Sequence, residues 1–99
     1  MQAKIEYTFS GELWRYEGQG AWYFVSLPKE ITEEIRTNLQ WQEEGWGRMK
    51  AKASIKQVNW DTAIWFDKKR NTYLLPIKAD IRKKLALKPN QVLELSVFV

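Results

Sequence analysis

The chain has 99 residues and contains neither cysteine nor histidine. A chain of this length supports one hydrophobic core, so we expect a single domain over residues 1–99. The missing side chains remove disulfides, thiolate nucleophiles and the usual near-neutral general base, so the composition argues against an enzyme. We expect no metal and no other cofactor, because Asp61, Asp67 and Asp80 are isolated and no calcium-loop spacing is present.

The charge is unevenly distributed along the chain. The formal net charge is +4, and all of the excess lies in residues 57–99, where eight Lys and Arg residues accompany four Asp and Glu residues. Such a bias suits nucleic acid or another anionic ligand. No apolar stretch has the length of a signal peptide or a membrane span, so we expect a cytoplasmic protein without a membrane partner.

The first half of the chain is predicted to run strand, strand, helix, strand. Alternating apolar residues predict a half-buried strand over residues 5–13, with a bulge at Gly11. Residues 21–27 are dense in aromatic and branched side chains, which predicts a second strand buried on both faces. A short helix over about 29–38 follows Pro28, and after a loop the alternation over 49–55 predicts a third strand.

The second half repeats this order. Residues 58–66 are predicted as a strand, 67–71 as a turn and 72–75 as a strand. A second short helix follows around residues 80–85, and the alternation over 93–99 predicts a last strand.

The repetition is clearest between residues 24–28 and residues 72–76, which both end in proline about 48 positions apart. Each half alone, roughly 1–56 and 57–99, is too small to bury its apolar faces. Interlocking about a pseudo-twofold axis would close a barrel and leave few exposed edges. We therefore predict an all-β domain with two short helices: a pseudo-twofold barrel of about six strands that arose by internal duplication.

Four segments carry a resemblance to a known family: VSLPKEI at residues 25–31, GWG at 45–47, YLLPI at 73–77, and DIRKKLALKPNQV at 80–92. Together they resemble the uncharacterised prokaryotic family known as domain of unknown function nineteen-oh-five. The resemblance implies a double-split β-barrel, the fold of AbrB-like and MazE-like DNA-binding regulators. It implies no chemistry.

The aromatic side chains divide into two groups. Trp22, Tyr23, Phe24, Trp60 and Phe98 lie in strand patterns, and we expect them in the core. Trp41 and Trp46 flank a charged loop that contains glycine, so they either cap one mouth of the barrel or line a binding surface. Our leading hypothesis is a non-catalytic binding or interaction module whose protein or small-molecule ligand meets Trp41, Trp46 or the barrel mouth.

The alternative hypothesis is a nucleic-acid-binding protein that uses the basic second half. Its candidate residues form two clusters near aromatic side chains: Lys68, Lys69 and Arg70, and Arg82, Lys83 and Lys84. The helix at the position that matches the second cluster carries Thr32-Glu33-Glu34 instead. A single chain therefore lacks the matched basic surfaces with which an AbrB-like dimer binds duplex DNA. The carboxylate pairs Glu33-Glu34 and Glu43-Glu44 are interpreted as solvated charges, and a monomer and a homodimer both stay open.

Overall fold

The computed structural model of the chain describes residues 4–18 and 20–99. Within them the strands are β1 Glu6–Arg15, β2 Tyr23–Ser26, β3 Arg48–Ile55, β4 Val58–Asp67, β5 Thr72–Pro76 and β6 Val92–Phe98. The helices are α1 Lys29–Leu39 and α2 Ala79–Lys84, and two single 3-10 turns, Gln40–Gln42 and Gly45–Gly47, lie between α1 and β3. The elements have the predicted order, and β2 is shorter than predicted.

The six strands close into one antiparallel barrel. Their order around the barrel is β1-β2-β5-β4-β3-β6, and β6 pairs with β1 to complete the circle. This confirms the predicted all-β fold with six strands and two short helices. The closure is partial along some strands, because β1 pairs with β2 only at residues 13–15 and β4 pairs with β5 only at residues 65–67.

The strand order has the pseudo-twofold symmetry that the repeated pattern predicts. Exchanging β1 with β4, β2 with β5 and β3 with β6 leaves the order unchanged. Ser26 pairs with Leu74 in the contact between β2 and β5. Their separation of 48 residues (74 − 26) equals that of Pro28 and Pro76 (76 − 28), so the pseudo-axis passes through this pair.

The core is built from alternate residues of the strands and closed by the two helices. In β1, Tyr7, Phe9 and Leu13 point inward and are buried, as the period-2 pattern requires. Ile35 of α1 and Ile81 of α2 are buried against the same core. Burying these apolar side chains is the main favourable term for a domain of this size.

Two local predictions about the first half are wrong. The pairing of β1 with β6 runs without a break from Glu6 to Glu12, so there is no bulge at Gly11. A Cβ at Gly11 would lie 2.4 Å from Cγ1 of Val25, so glycine is needed there for close packing. In β2 only Val25 is buried, because the neighbouring Phe24 points to the outside of the barrel.

Candidate functional site

A groove runs over the outside of the barrel where the end of β1 faces the turn between β4 and β5. Its volume is about 810 Å³, a size typical of ligand sites. We call it the outer groove; it is lined by residues 14–17, 65–70 and 74. Leu74, the residue at the pseudo-axis, forms its floor, and Trp14 and Trp65 are its aromatic walls.

A row of aromatic rings extends from this groove across β2. The ring of Phe24 lies 5.3 Å from that of Trp14 and 6.0 Å from that of Trp22, to which it is parallel within 4°. Tyr16 meets Phe24 edge-on at 6.2 Å. We call Trp14, Phe24 and Trp22 the aromatic row. Trp22 is 54% exposed, so the prediction that it is a core residue is wrong.

The turn between β4 and β5 places a cation over this row. The guanidinium carbon of Arg70 lies 4.5 Å from the ring centre of Trp14, and Trp14 in turn donates its indole N–H to Ser26 at 3.0 Å. Arg70 also pairs with Asp67 at 2.6 Å. Burial raises the pKa of Asp67, but hydrogen bonds from Arg70 and from the Lys69 and Arg70 backbone N–H groups outweigh it and hold the pKa below its usual value.

The two predicted basic clusters do not form one surface. Lys68, Lys69 and Arg70 lie before β5, and Arg82, Lys83 and Lys84 lie on α2 beyond its other end. Arg82 is engaged within the fold, because it donates to the Ile77 carbonyl oxygen at 2.7 Å and lies 3.9 Å from the ring centre of Tyr23. Lys83 and Lys84 are exposed on α2. Of the two clusters, the first lines the outer groove.

The predicted tryptophan pair points to solvent. Trp41 is 77% exposed and Trp46 is 94% exposed, so neither caps the barrel mouth. Trp41 donates its indole N–H to the Asn38 carbonyl oxygen at 3.2 Å, against the end of α1. Trp46 lies between Gly45 and Gly47 with a φ of 64°, a left-handed conformation that is strained for a bulky residue.

Trp46 stands over a second cavity, of about 650 Å³, which we call the loop pocket. Its lining comprises Arg36, Gln40, Glu43, Trp46, Gly47, Phe66 and Lys68. Phe66 and Lys68 also line the outer groove, so the two cavities meet at the end of β4. Trp41 does not line it, so the structure separates the roles of the two tryptophans.

Glu43, which lines the loop pocket, makes a buried polar contact. The Tyr73 hydroxyl, which is fully buried, donates to Glu43, whose side chain is only 13% exposed. Burial first, and the Glu43 carboxylate second, raise the pKa of Tyr73 far above its usual value. Arg36 lies 3.5 Å from the same carboxylate and 3.8 Å from the Phe66 ring centre. The interpretation of Glu43 as a solvated charge is therefore wrong.

Sequence reasoning missed part of the candidate site. The sequence pattern assigns no role to Trp14 or Tyr16, and the prediction that Phe24 lies in the core is wrong, because Phe24 lies on the same side of the sheet as Trp14. The aromatic row is identified by the pairing of Trp14 with Phe24 across the strands. This pairing can be recognised only when the register between β1 and β2 is known. Of the other predicted core residues, Phe98 lines a surface cavity instead. Trp60 packs against the core, as predicted.

The family described as Domain of unknown function (DUF1905) matches residues 9–97. The chain belongs to this family. Both the outer groove and the loop pocket lie inside the matched span of the DUF1905 domain, so they are features of the domain and not of its flanks. No curated protein matches the sequence.

Two further observations concern residues 4–18 and 20–99 of this DUF1905 chain. No helix in this part is both long and apolar enough to cross a membrane. Within the same residues, no three Asp or Glu side chains come together in the way a metal site requires.

Proposed function

We propose that this domain is a non-catalytic module that binds single-stranded nucleic acid along the outer groove and the aromatic row. The observation that carries the proposal is the alignment of Trp14, Phe24 and Trp22 on the outside of the barrel, with Arg70 over Trp14. Proteins that bind single strands combine such ring surfaces with cations that follow the phosphates. Stacking of one base on one ring contributes about 1–3 kcal/mol.

The charges of the outer groove suit a phosphate backbone. Its lining carries four cations, Arg15, Lys68, Lys69 and Arg70, against two carboxylates, Glu17 and Asp67. Asp67 is already paired with Arg70, which leaves three cations for phosphates.

The exposed rings favour a single strand over a duplex. Bases in a duplex are stacked on one another, so their faces are not available to side chains such as Trp22, which is 54% exposed. A twofold duplex reader also presents matched basic surfaces. The basic turn between β4 and β5 has no such match, because the corresponding turn between β1 and β2, residues 16–22, carries Glu17 and no lysine or arginine.

The test is a fluorescence-anisotropy titration of labelled ten-nucleotide DNA and RNA strands, with a ten-base-pair duplex as the comparison. We expect saturable binding of the strands and weaker binding of the duplex. Three neutralised phosphates give a salt slope of about 2, so an increase from about 50 to about 200 mM salt weakens binding about 16-fold. Absence of saturable strand binding at the lower salt concentration refutes the proposal.

Two matched pairs of variants locate the site. Trp22→Ala removes an exposed ring of the row, and we expect about fivefold to 100-fold weaker binding. Trp41→Ala removes a ring that is more exposed but lies outside the groove, and we expect no change. An equal loss in both variants contradicts the assigned surface.

The second pair tests charge. Lys68→Gln with Lys69→Gln removes two groove cations and is expected to reduce the salt slope to about 0.7, the value for one phosphate on a single strand. Lys83→Gln with Lys84→Gln removes the same charge from α2, and we expect the slope to stay near 2. If the salt slope falls in the Lys83 and Lys84 variant and not in the Lys68 and Lys69 variant, the binding site lies on α2.

A second candidate function is favoured by Trp46. A tryptophan that is 94% exposed and held in a strained conformation is a suitable anchor for a protein or small-molecule partner. This hypothesis predicts that Trp46→Ala and Trp41→Ala both leave folding intact and abolish partner capture. Retention of the same partners by both variants, in paired capture experiments with the wild type, contradicts it.

A further inference from the structure

The loop pocket continues the outer groove around the end of β4. Phe66 and Lys68 line both cavities, so a strand that follows the groove past the basic turn arrives at this pocket. Its volume of about 650 Å³ is large enough for one nucleotide. The pocket is therefore a place where the bound strand could end.

The cations of the pocket keep donors free for a ligand. At 3.5 Å, the contact of Arg36 with Glu43 is an ion pair that is too long for a strong hydrogen bond. The guanidinium carbon lies 3.8 Å from the Phe66 ring centre, and among the described residues no hydrogen bond from its N–H groups is present. Among the described residues, no carboxylate lies within ion-pair distance of Lys68.

The single carboxylate of the pocket is held by the fold. Glu43 accepts the hydrogen bond of the buried Tyr73 hydroxyl and faces Arg36, so its charge is directed toward the wall of the pocket. Arg36 and Lys68 remain as the groups that can meet an anion. A phosphate group is the anion that planar arginine and exposed lysine bind best.

The loop above the pocket is held on both sides of Trp46. A Cβ at Gly47 would lie 3.1 Å from Cβ of Phe66, so the loop packs tightly against β4. Glu44 fixes the other end of the loop through its ion pair with Arg48 at 3.0 Å. A strained residue persists only where its surroundings hold it, and such residues concentrate at ligand sites.

We propose that the loop pocket binds the phosphorylated end of the strand held in the outer groove. Arg36 and Lys68 contact the terminal phosphate, and the base next to it stacks on Trp46. A terminal phosphate carries up to two negative charges near neutral pH, whereas a phosphate within the strand carries one, so two cations distinguish them. This inference rests on the proposed single-strand function.

The experiment compares strands of one sequence that end in a 5′-phosphate, a 3′-phosphate or hydroxyl groups only. We expect the wild type to bind one of the phosphorylated strands about tenfold more tightly than the hydroxyl-ended strand. Which end is preferred identifies the polarity of the bound strand. Binding of all three with equal affinity overturns the inference while the proposed function stands; binding of none overturns both.

The variants place the preference in the pocket. Trp46→Ala removes a ring that is 94% exposed, so we expect the variant to fold. Arg36→Gln removes the cation that lies beside Glu43 in the pocket. Both are expected to reduce the tenfold preference to less than about twofold. Trp41→Ala is the matched control and should keep the preference; its loss there overturns the inference.

A second measurement does not depend on comparing affinities. The indole N–H signal of Trp46 in an NMR spectrum is identified by its disappearance in Trp46→Ala. We expect it to shift with the phosphorylated strand and to stay in place with the hydroxyl-ended strand, while the Trp22 signal shifts with both. A Trp46 signal that moves equally with all strands contradicts a terminal-phosphate pocket.

Discussion

Replacing Trp46 with glycine should stabilise the protein. The residue has φ 64° and ψ 26°, the left-handed conformation, which costs a residue with a Cβ about 1–2 kcal/mol. Glycine adopts it without strain but adds about 0.5–1 kcal/mol of chain entropy to the unfolded state. Because the side chain is 94% exposed, its removal loses almost no packing. The central value of the net gain is about 0.75 kcal/mol, which raises the unfolding midpoint by about 3–6 °C.

Thermal unfolding followed by far-UV circular dichroism measures this gain without depending on tryptophan emission. Trp46→Asn is a second variant, because asparagine tolerates the left-handed conformation with a smaller entropy change. The matched control is Trp41→Gly, which lies in a 3-10 turn and loses the indole hydrogen bond to Asn38, so its midpoint should fall. If both Trp46 variants unfold at lower temperature than the wild type, the strain argument is refuted.

Three further predictions concern the barrel and its turns. Gly11→Ala should destabilise the protein by about 1–3 kcal/mol, because the new methyl group would lie 2.4 Å from a buried side chain of β2. Gly45→Ala is the matched control: no atom lies within 4 Å of its added Cβ, so its stability should change by less than about 0.5 kcal/mol when both variants are measured by urea titration. Burial, and then the Glu43 carboxylate, raise the pKa of Tyr73, so as the pH rises its hydroxyl ionises first in the unfolded chain. The free energy of unfolding of the wild type should therefore fall above about pH 10. An equal fall in a Tyr73→Phe variant would contradict this. The pKa of Asp67 is lowered, so its contribution to stability is present above about pH 4 and is lost as the pH falls through the folded-state pKa. The stability difference between the wild type and Asp67→Asn should therefore disappear in that pH range. A difference that stays constant would contradict the lowered pKa.

The order of elements along the chain was predictable because its signals are local and repeated. The period-2 burial of the strands and the two proline-ended segments each depend only on neighbouring residues. The repetition then restricts the topology, because two copies of one unit bury their faces best by closing on each other. The structure agrees at Ser26 and Leu74, where the two copies meet.

The candidate site was harder to predict because it depends on pairing across strands. The side of the barrel on which Phe24 lies depends on its register with Trp14, and a shift by one residue would turn Phe24 into the core. Glu43 appears solvated in the sequence because its neighbours are polar. Its burial comes from Tyr73, which is 30 residues away in the chain.

The duplication explains the barrel but not the site, and this difference bears on stoichiometry. The outer groove crosses the pseudo-axis at Leu74, yet its two sides are unlike. Trp14 pairs with Phe24 in the first half, whereas the corresponding pair in the second half is Asp67 with Thr72. Asp67 holds the basic turn over Trp14 instead of adding a ring, so the first half supplies the aromatic row and the second half supplies three of the four groove cations. A groove assembled from unlike halves occurs once in each chain, so the proposed function predicts a ratio of one bound strand to one chain.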